Sequence, residues 1–441
     1  MKTGAKRQLR PSVLDLPNSE GVWFVRHVII GSSAAGVAAA ETIRKLDPNS
    51  EILMISEETG LPYSRCLTPE FLAGRLPEER LRIRPKDFYV RNGILAVLGY
   101  RVTAVLPEEK AVILNDGRRI NYHKLLIATG SSTAFPPIPG IDNQGVFGLR
   151  SLADAKALLE AARGARRAVV IGAGPVGLEA AYALYERGIE VTVVERFPRI
   201  LFQQLDEEAS GILARDLQAE GVRILTGRGV KEIVGPSLWS RLFGKTGKGV
   251  ILDSGEKLKA EIIVVATGTR PNTGLVKGSA IVVNRGIRVN GFMETTVPGV
   301  YAAGDVAETT DAVSGVTGLS PIWPNAVAQG KVAGYNMAGK PRELSLKIGM
   351  QNAMEFRMVP AIAVGITNPA GEDYQELKVH RPEENLYRKL VFQGNLLRGM
   401  ILVGDIEQAG VLAALIKNKV NVSKFKNRLL EKSFSFADFV H

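Results

Sequence analysis

Two short glycine-rich segments have the residue types and spacing to do chemistry. Gly172-Ala-Gly174-Pro175-Val176-Gly177 follows the apolar run AVVI and opens an alanine-rich stretch with helical spacing. That order of strand, tight turn and helix is the opening of a dinucleotide-binding unit. Gly172 makes the turn, Gly174 lets the backbone approach a pyrophosphate, and Gly177 lets helix pack on strand. Pro175 and Val176 then start a helix whose free N–H groups and dipole favour the phosphate charge. Glu195 ends the next apolar run, IEVTVVE. A carboxylate there accepts hydrogen bonds from a ribose 2′-hydroxyl and repels a 2′-phosphate, so NADH is favoured over NADPH. Arg196, next in the chain, pulls the other way.

The elements that position these residues occur twice. VRHVIIGSSAAGVAAAETIRKL (25–46) repeats the pattern of RRAVVIGAGPVGLEAAYALYERG (166–188). The first turn reads Gly31-Ser-Ser33-Ala34-Ala-Gly36, with serine in place of the middle glycine. Each copy returns to a run ending in acid, EILMISEE (51–58) or IEVTVVE (189–195). Each later reaches an ATG strand: Ala128-Thr129-Gly130 closes KLLIATG, and Gly268 closes IIVVATG. The turns lie 141 residues apart, Gly31 to Gly172, and the ATG threonines lie 138 apart, Thr129 to Thr267. One glycine turn is a weak signal, but two in register, each with an acid and an ATG strand, predict two dinucleotide-binding units.

Composition narrows the chemistry. At roughly 150 residues per domain, 441 residues suggest about three domains. Apolar residues make up 45% and charged residues 23%, which excludes a disordered or low-complexity scaffold. The single cysteine, Cys66, excludes an internal disulfide and a thiolate-ligated zinc or iron–sulfur cluster. The four histidines are scattered singly, so no metal site is expected and redox chemistry must come from an organic cofactor. The net charge of +11 suits an acidic partner. No aromatic–basic motif accompanies it, so nucleic acid is not expected as a partner. No segment has the apolar length of a membrane span, and the basic N-terminus lacks the apolar core of a secretory signal. A cytoplasmic protein with a flexible extension over residues 1–21 is expected. Residues 235–249 form a Gly-rich, basic insertion carrying Trp239, Leu242 and Phe243, read as a long hairpin tip or, more sharply, a docking element.

With these motifs in hand, the chain resembles the pyridine nucleotide–disulfide oxidoreductase superfamily. The resemblance covers about residues 26–340 and rests on further motifs: YAAGDVA (301–307), ATGTRPN (266–272) and IWPNAVAQG (322–330). It implies an α/β fold of two Rossmann-like domains, the first for FAD and the second for NAD(P)H, plus a C-terminal α+β interface domain. The implied division is 22–149 with 273–340 for FAD, 150–272 for NAD(P)H, and 341–441 for the interface domain, which leaves a homodimer open. Residues 387–406 are two period-two apolar runs around Gly394-Asn395, a hairpin, followed by helical spacing in AGVLAALIKNKV. This end resembles rubredoxin reductases and nitrite reductase flavin subunits.

The resemblance carries roles onto single residues. Gly304 and Asp305 would contact FAD, the Asp305 carboxylate accepting from a ribityl hydroxyl. Asn325 and Ala326 belong to a helix start facing the flavin pyrimidine edge, with Pro324 presetting the first turn. Glu57 and Glu58 stand where the family binds the adenosine ribose of FAD, Arg65 where it holds the cofactor, and Val102 at the adenine site. Arg150 begins the crossover into the NAD domain, and Glu179 matches a glutamate near the nicotinamide carboxamide.

Cys66, 35 residues after Gly31, decides between subclasses. LPYSRCLTPEFLAG aligns with the segment where NADH oxidases, peroxidases and coenzyme A disulfide reductases keep one redox cysteine. Beside Arg65 and a helix start, its thiolate is expected to be stabilised. Peroxidases of this group carry histidine where this chain has Ala34, so the acid for peroxide cleavage is missing. The reading reached is an FAD-dependent NADH oxidoreductase delivering electrons to a small acidic carrier of ferredoxin or rubredoxin type, or to an iron–sulfur subunit. The alternative is a Cys66-dependent reductase of disulfides, polysulfide or oxygen. A third is a redox-sensing flavoprotein like the apoptosis-inducing factors.

Overall fold

The computed structural model describes residues 25–235, 248–311, 313, 315–345, 351–355, 359–435 and 437. The extension expected over 1–21 and the insertion's Trp239, Leu242 and Phe243 lie outside them.

Both apolar runs that precede a glycine turn become the central strand of a parallel sheet. They are β-branched and buried on both faces, as such strands must be. The first sheet has the order Val300–Ala302, Lys124–Ile127, Arg26–Ile30, Glu51–Ser56, Ile94–Leu98. The second has the order Arg223–Thr226, Glu190–Glu195, Arg167–Ile171, Ile262–Val265, Val146–Phe147. Each carries a three-stranded antiparallel appendage just before its ATG strand: Val102–Leu106 to Arg119–Asn121, and Val230–Val234 to Lys257–Lys259. The units interlock at their edges. The first borrows Val300–Ala302 from beyond the second unit, and the second borrows Val146–Phe147 from before its own turn.

Helices Ala34–Leu46 and Trp323–Met337 pack backbone to backbone. A Cβ on Gly330 would lie 2.2 Å from Ala35 O, and one on Gly334 would lie 2.8 Å from Ala39 O. Two glycines one turn apart thus set the closeness of this pair, and Pro324 lies in the first turn of its helix, as the sequence predicts.

The C-terminal unit is a five-stranded antiparallel sheet with the predicted hairpin, Leu386–Gln393 and Leu396–Val403, at Gly394 (φ 58°). Helix Ala409–Asn418 shares a core with Leu390, Phe392 and Leu402. Ala361, Tyr387, Ile401 and Val403 instead share the core of the second Rossmann-like unit. A buried polar node reinforces that seam. Asp206 caps helix Glu207–Glu220 at Ala209 N (3.2 Å), accepts from Tyr387 OH (2.5 Å) and lies 3.2 Å from Lys389 Nζ. Among the described residues, no helix is long and apolar enough to cross a membrane.

Candidate functional site

The two glycine turns repeat the same backbone features. Gly31 (φ 116°) and Gly172 (φ 105°) adopt backbone that favours glycine, and their N–H groups donate to Ile55 O and Val194 O, each at 2.8 Å. A Cβ on Gly31 would lie 2.2 Å from Ala128 O, and one on Gly172 would lie 2.5 Å from Ala266 O. The last glycine is forced too: a Cβ on Gly36 would meet Gly31 O at 1.9 Å, and one on Gly177 would meet Gly172 O at 2.0 Å. Gly174 differs, because a Cβ there meets nothing within 4 Å. Its missing side chain serves something other than protein packing.

Capping divides the helices into two groups. Helix Leu152–Ala162 has a full capping box from Ser151 and Asp154, and Glu207–Glu220 has the Asp206 cap and two first-turn glutamates. Helices Ala34–Leu46, Pro175–Glu186 and Trp323–Met337 have no side-chain cap and no acid in the first turn. Their leading N–H groups, Ser33 and Gly174 being the caps, are left for an anion. Helix Ala409–Asn418 of the C-terminal unit is uncapped as well.

At the end of the second strand the copies diverge. Glu195 Oε2 accepts from Ala173 N at 2.6 Å and Oε1 from Phe197 N at 2.8 Å. By strand register its counterpart is Ser56, whose hydroxyl accepts from Ser32 Oγ at 2.9 Å. Sequence reasoning missed Ser56, because it aligned acids and not register. Glu57 is exposed beyond the strand end, and Arg196 lies over the Phe197 ring at 5.6 Å. A cleft lined by Ser32, Ser33, Glu58, Gly60, Leu61, Tyr63 and Arg65 opens beside the first turn.

Arg65 pairs with Glu58 and donates to Arg150 O at 3.0 Å. Arg150 in turn pairs with Asp305, whose Oδ2 also accepts from Ser131 Oγ at 2.9 Å. These residues, far apart in sequence, form one chain from the first turn to the Gly304-Asp305 loop. Gly304 (φ 80°) donates to Gln329 Oε1 at 2.7 Å, while Gln329 Nε2 is buried without a partner. Asn325 is buried and donates to Ser320 Oγ at 2.7 Å, with buried Ala326 beside it in the first turn. The Val102 side chain packs into the first unit's core, so any contact it makes to a ligand runs through its backbone. Gln329 and Ser131 were not foreseen, although Gln329 lies within the IWPNAVAQG motif. Thr129 Oγ1 is used by Asn272 O at 2.9 Å, and Gly130 (φ 65°) and Gly268 (φ 114°) turn the chain after each ATG strand.

One expectation is corrected. The Cys66 thiol is pushed up, not down, and so is held protonated. Partial burial of the sulfur disfavours the thiolate most, Glu179 and Asp305 add negative charge, and Arg150 with the Ser64 hydrogen bond offsets only part. The Cys66 residue itself is exposed, outside the lining of the cleft beside the first turn. Glu179, on helix Pro175–Glu186, is pushed up to about 7 by burial and by the nearby Glu70 charge. Among the described residues no cluster of His, Cys, Asp or Glu forms a metal site.

The residues fit FAD and NAD(P)H on three counts: two turns whose first and last glycines admit no Cβ, uncapped helix starts above them, and the buried unpartnered Gln329 Nε2. Comparison with known proteins agrees. The chain is 32% identical over 412 residues to the assimilatory nitrate reductase electron transfer subunit of Bacillus subtilis (strain 168), covering 93% of this chain and 51% of that one. It thus spans about half that relative's length. It is 32% identical over 411 residues to the NADH-dependent phenylglyoxylate dehydrogenase subunit epsilon of Aromatoleum evansii, covering 92% and 94%. The solved NAD-dependent persulfide reductase from A. fulgidus superposes with a TM-score of 0.84 at 28% identity, over 91% of this chain and 79% of that one. The rubredoxin NAD+ reductase C-terminal domain matches residues 359–420. Residues 25–330 match the pyridine nucleotide-disulphide oxidoreductase model, and the chain belongs to that family, which works with FAD and NAD(P)H.

Proposed function

We propose that this chain is an NADH oxidoreductase that delivers electrons to an external acidic carrier, a small ferredoxin- or rubredoxin-type protein or an iron–sulfur subunit. FAD held along the first turn would supply the chemistry of taking one hydride, two electrons with a proton, from a nicotinamide and releasing the electrons singly or in pairs. The chain's own residues do the rest. Gly31, Gly36 and the helix start at Ala34 hold a pyrophosphate, Asp305 and Gln329 orient the ligand near its middle, and Glu195 selects a free ribose 2′-hydroxyl. Glu179 carries its proton near neutral pH, which suits hydrogen bonding to a carboxamide.

The observation that carries the external acceptor is that Cys66 stands alone. It is the single cysteine of the chain, so it has no partner with which to cycle between dithiol and disulfide and take up the electron pair of the flavin, and the electrons leave the chain. The rubredoxin reductase-like C-terminal unit and the net charge of +11 support the same reading. A second reading, Cys66-dependent reduction of a persulfide or disulfide, is favoured by the position of Cys66 within electrostatic reach of Arg150, which stabilises its thiolate, and by the likeness to the persulfide reductase.

Steady-state assays with ferredoxin and rubredoxin acceptors, on wild-type protein and Cys66→Ser, separate the two. Carrier reduction that survives in Cys66→Ser and falls with ionic strength is the expected result. Loss of all turnover in that variant would establish the thiol reading, and indifference to salt would remove charge steering.

A further inference from the structure

Both crossings between the Rossmann-like units run through one two-stranded antiparallel ribbon. Ser131–Thr133 carries the chain out of the first unit, and Thr269–Pro271 carries it back. The ribbon has a pseudo-two-fold axis. Thr129 Oγ1 donates to Asn272 O at 2.9 Å, and Thr267 Oγ1 donates to Ala134 O at 2.8 Å. Asn272 N donates to Gly130 O and Ala134 N to Gly268 O, each at 3.0 Å. Residues 134 and 272 are therefore equivalent, each five positions beyond its ATG threonine.

The symmetry is broken at one side chain. Where the first crossing has Ala134, the second has Asn272, and its amide closes the ribbon. Nδ2 donates to Thr129 O at 2.9 Å, and Oδ1 accepts from Ser132 Oγ at 2.8 Å. The clasp reaches the site directly. Ser131, next to Ser132, donates to Asp305 and accepts from Arg150 Nε at 3.2 Å. An amide bonded to both crossings fixes the rotation of one unit against the other, and that rotation decides how a nicotinamide held by the second unit meets a flavin held by the first.

We propose that Asn272 is a positioning residue for hydride transfer, acting through the ribbon and touching neither cofactor. The inference rests on the hydride-transfer part of the function above and is independent of the acceptor. A small angular error at a hydride-transfer contact is costly in rate while leaving binding intact, because the affinity-bearing contacts lie within single units.

The test is anaerobic stopped-flow reduction of FAD-loaded protein by NADH, with amide hydrogen exchange of segments 129–134 and 267–272 on the same samples. Asn272→Ala, which makes the ribbon symmetric, is expected to slow flavin reduction at saturating NADH about tenfold. The NADH dissociation constant should stay within about twofold, and exchange in the ribbon should rise in loaded and FAD-free protein alike. Ser132→Ala, which removes one hydrogen bond, is expected to give a smaller loss in the same direction, and it serves where Asn272→Ala does not fold. A variant with loosened ribbon amides and an unchanged reduction rate would show the clasp to be scaffolding only and overturn the proposal. Wild-type protein that NADH fails to bleach would overturn the underlying function and this inference with it.

Discussion

Glu195 accepts a hydrogen bond from the Ala173 N–H at 2.6 Å, where the equivalent pair of the first unit is Ser56 and Ser32, hydroxyl to hydroxyl at 2.9 Å. The two turns share a backbone and differ in what closes them. A carboxylate fixed by two backbone N–H groups keeps lone pairs for a ribose diol and repels a phosphate. Glu195→Ser puts the residue of the first unit at this position without its Ser32 partner, because the second unit has Ala173 there. Loss of a charge-assisted hydrogen bond costs about 1.5–3 kcal/mol, so kcat/KM for NADH should fall about ten- to hundredfold. The value for NADPH should fall less or rise, with Arg196 still beside it. Equal losses for both nucleotides would assign Glu195 to loop stability instead.

Glycines within one turn should respond differently. Gly177→Ala drives a Cβ to 2.0 Å from Gly172 O and should prevent folding of the second unit. Gly174→Ala meets open space at φ −76°, which alanine adopts freely. That variant should melt within a few degrees of wild type while KM for NADH rises about tenfold or more. Thermal denaturation beside NADH titration checks the pair, and a normal KM in Gly174→Ala would show that no pyrophosphate approaches that backbone.

The Cys66 thiol should be sluggish. Burial and the charges of Glu179 and Asp305 hold it protonated, so alkylation by iodoacetamide at pH 7 should run slower than for a free peptide thiol. Glu179 itself titrates near pH 7 and opposes the thiolate only when ionised. Glu179→Gln should therefore lower the apparent thiol pKa and speed alkylation above pH 7, with little change below it. A pH–rate profile of the two proteins decides this; identical profiles would separate the two groups.

Features set by local pattern were legible in the sequence, and those set by register or long-range contact were not. Glycine spacing, β-branched runs and Pro324 marked both turns, both central strands and the helix at Trp323–Met337, because a tight turn and a helix start have local requirements. The hairpin at Gly394 was legible for the same reason. Ser56 was not, since its equivalence to Glu195 depends on strand pairing and the adjacent glutamates drew the eye to charge. The direction of the Cys66 shift was missed because Glu179 lies 113 positions away and reaches it only through the fold. The Arg65–Arg150–Asp305 chain, drawn from three regions of sequence, is equally a product of tertiary structure.

The strand that carries the first turn also holds a titratable liability. His27 is 1% exposed and neither ring nitrogen has a hydrogen-bond partner. Burial lowers its pKa to about 4, with Lys124, His123 and Arg44 adding to the shift and Asp47 opposing it. Above pH 6.5 the imidazole is neutral in both folded and unfolded chains and pH has no hold on it. Below that value the unfolded chain takes up a proton that the folded one refuses until pH 4, so stability falls across this window and levels beneath it. The loss from pH 7 to pH 5 is about 2 kcal/mol from this group alone. His27→Leu removes both the proton uptake and two buried, unpaired nitrogens, so its denaturation midpoint should decline less over that range. Urea unfolding at pH 7 and pH 5 measures it, and equal declines in both proteins would move the acid sensitivity to another group.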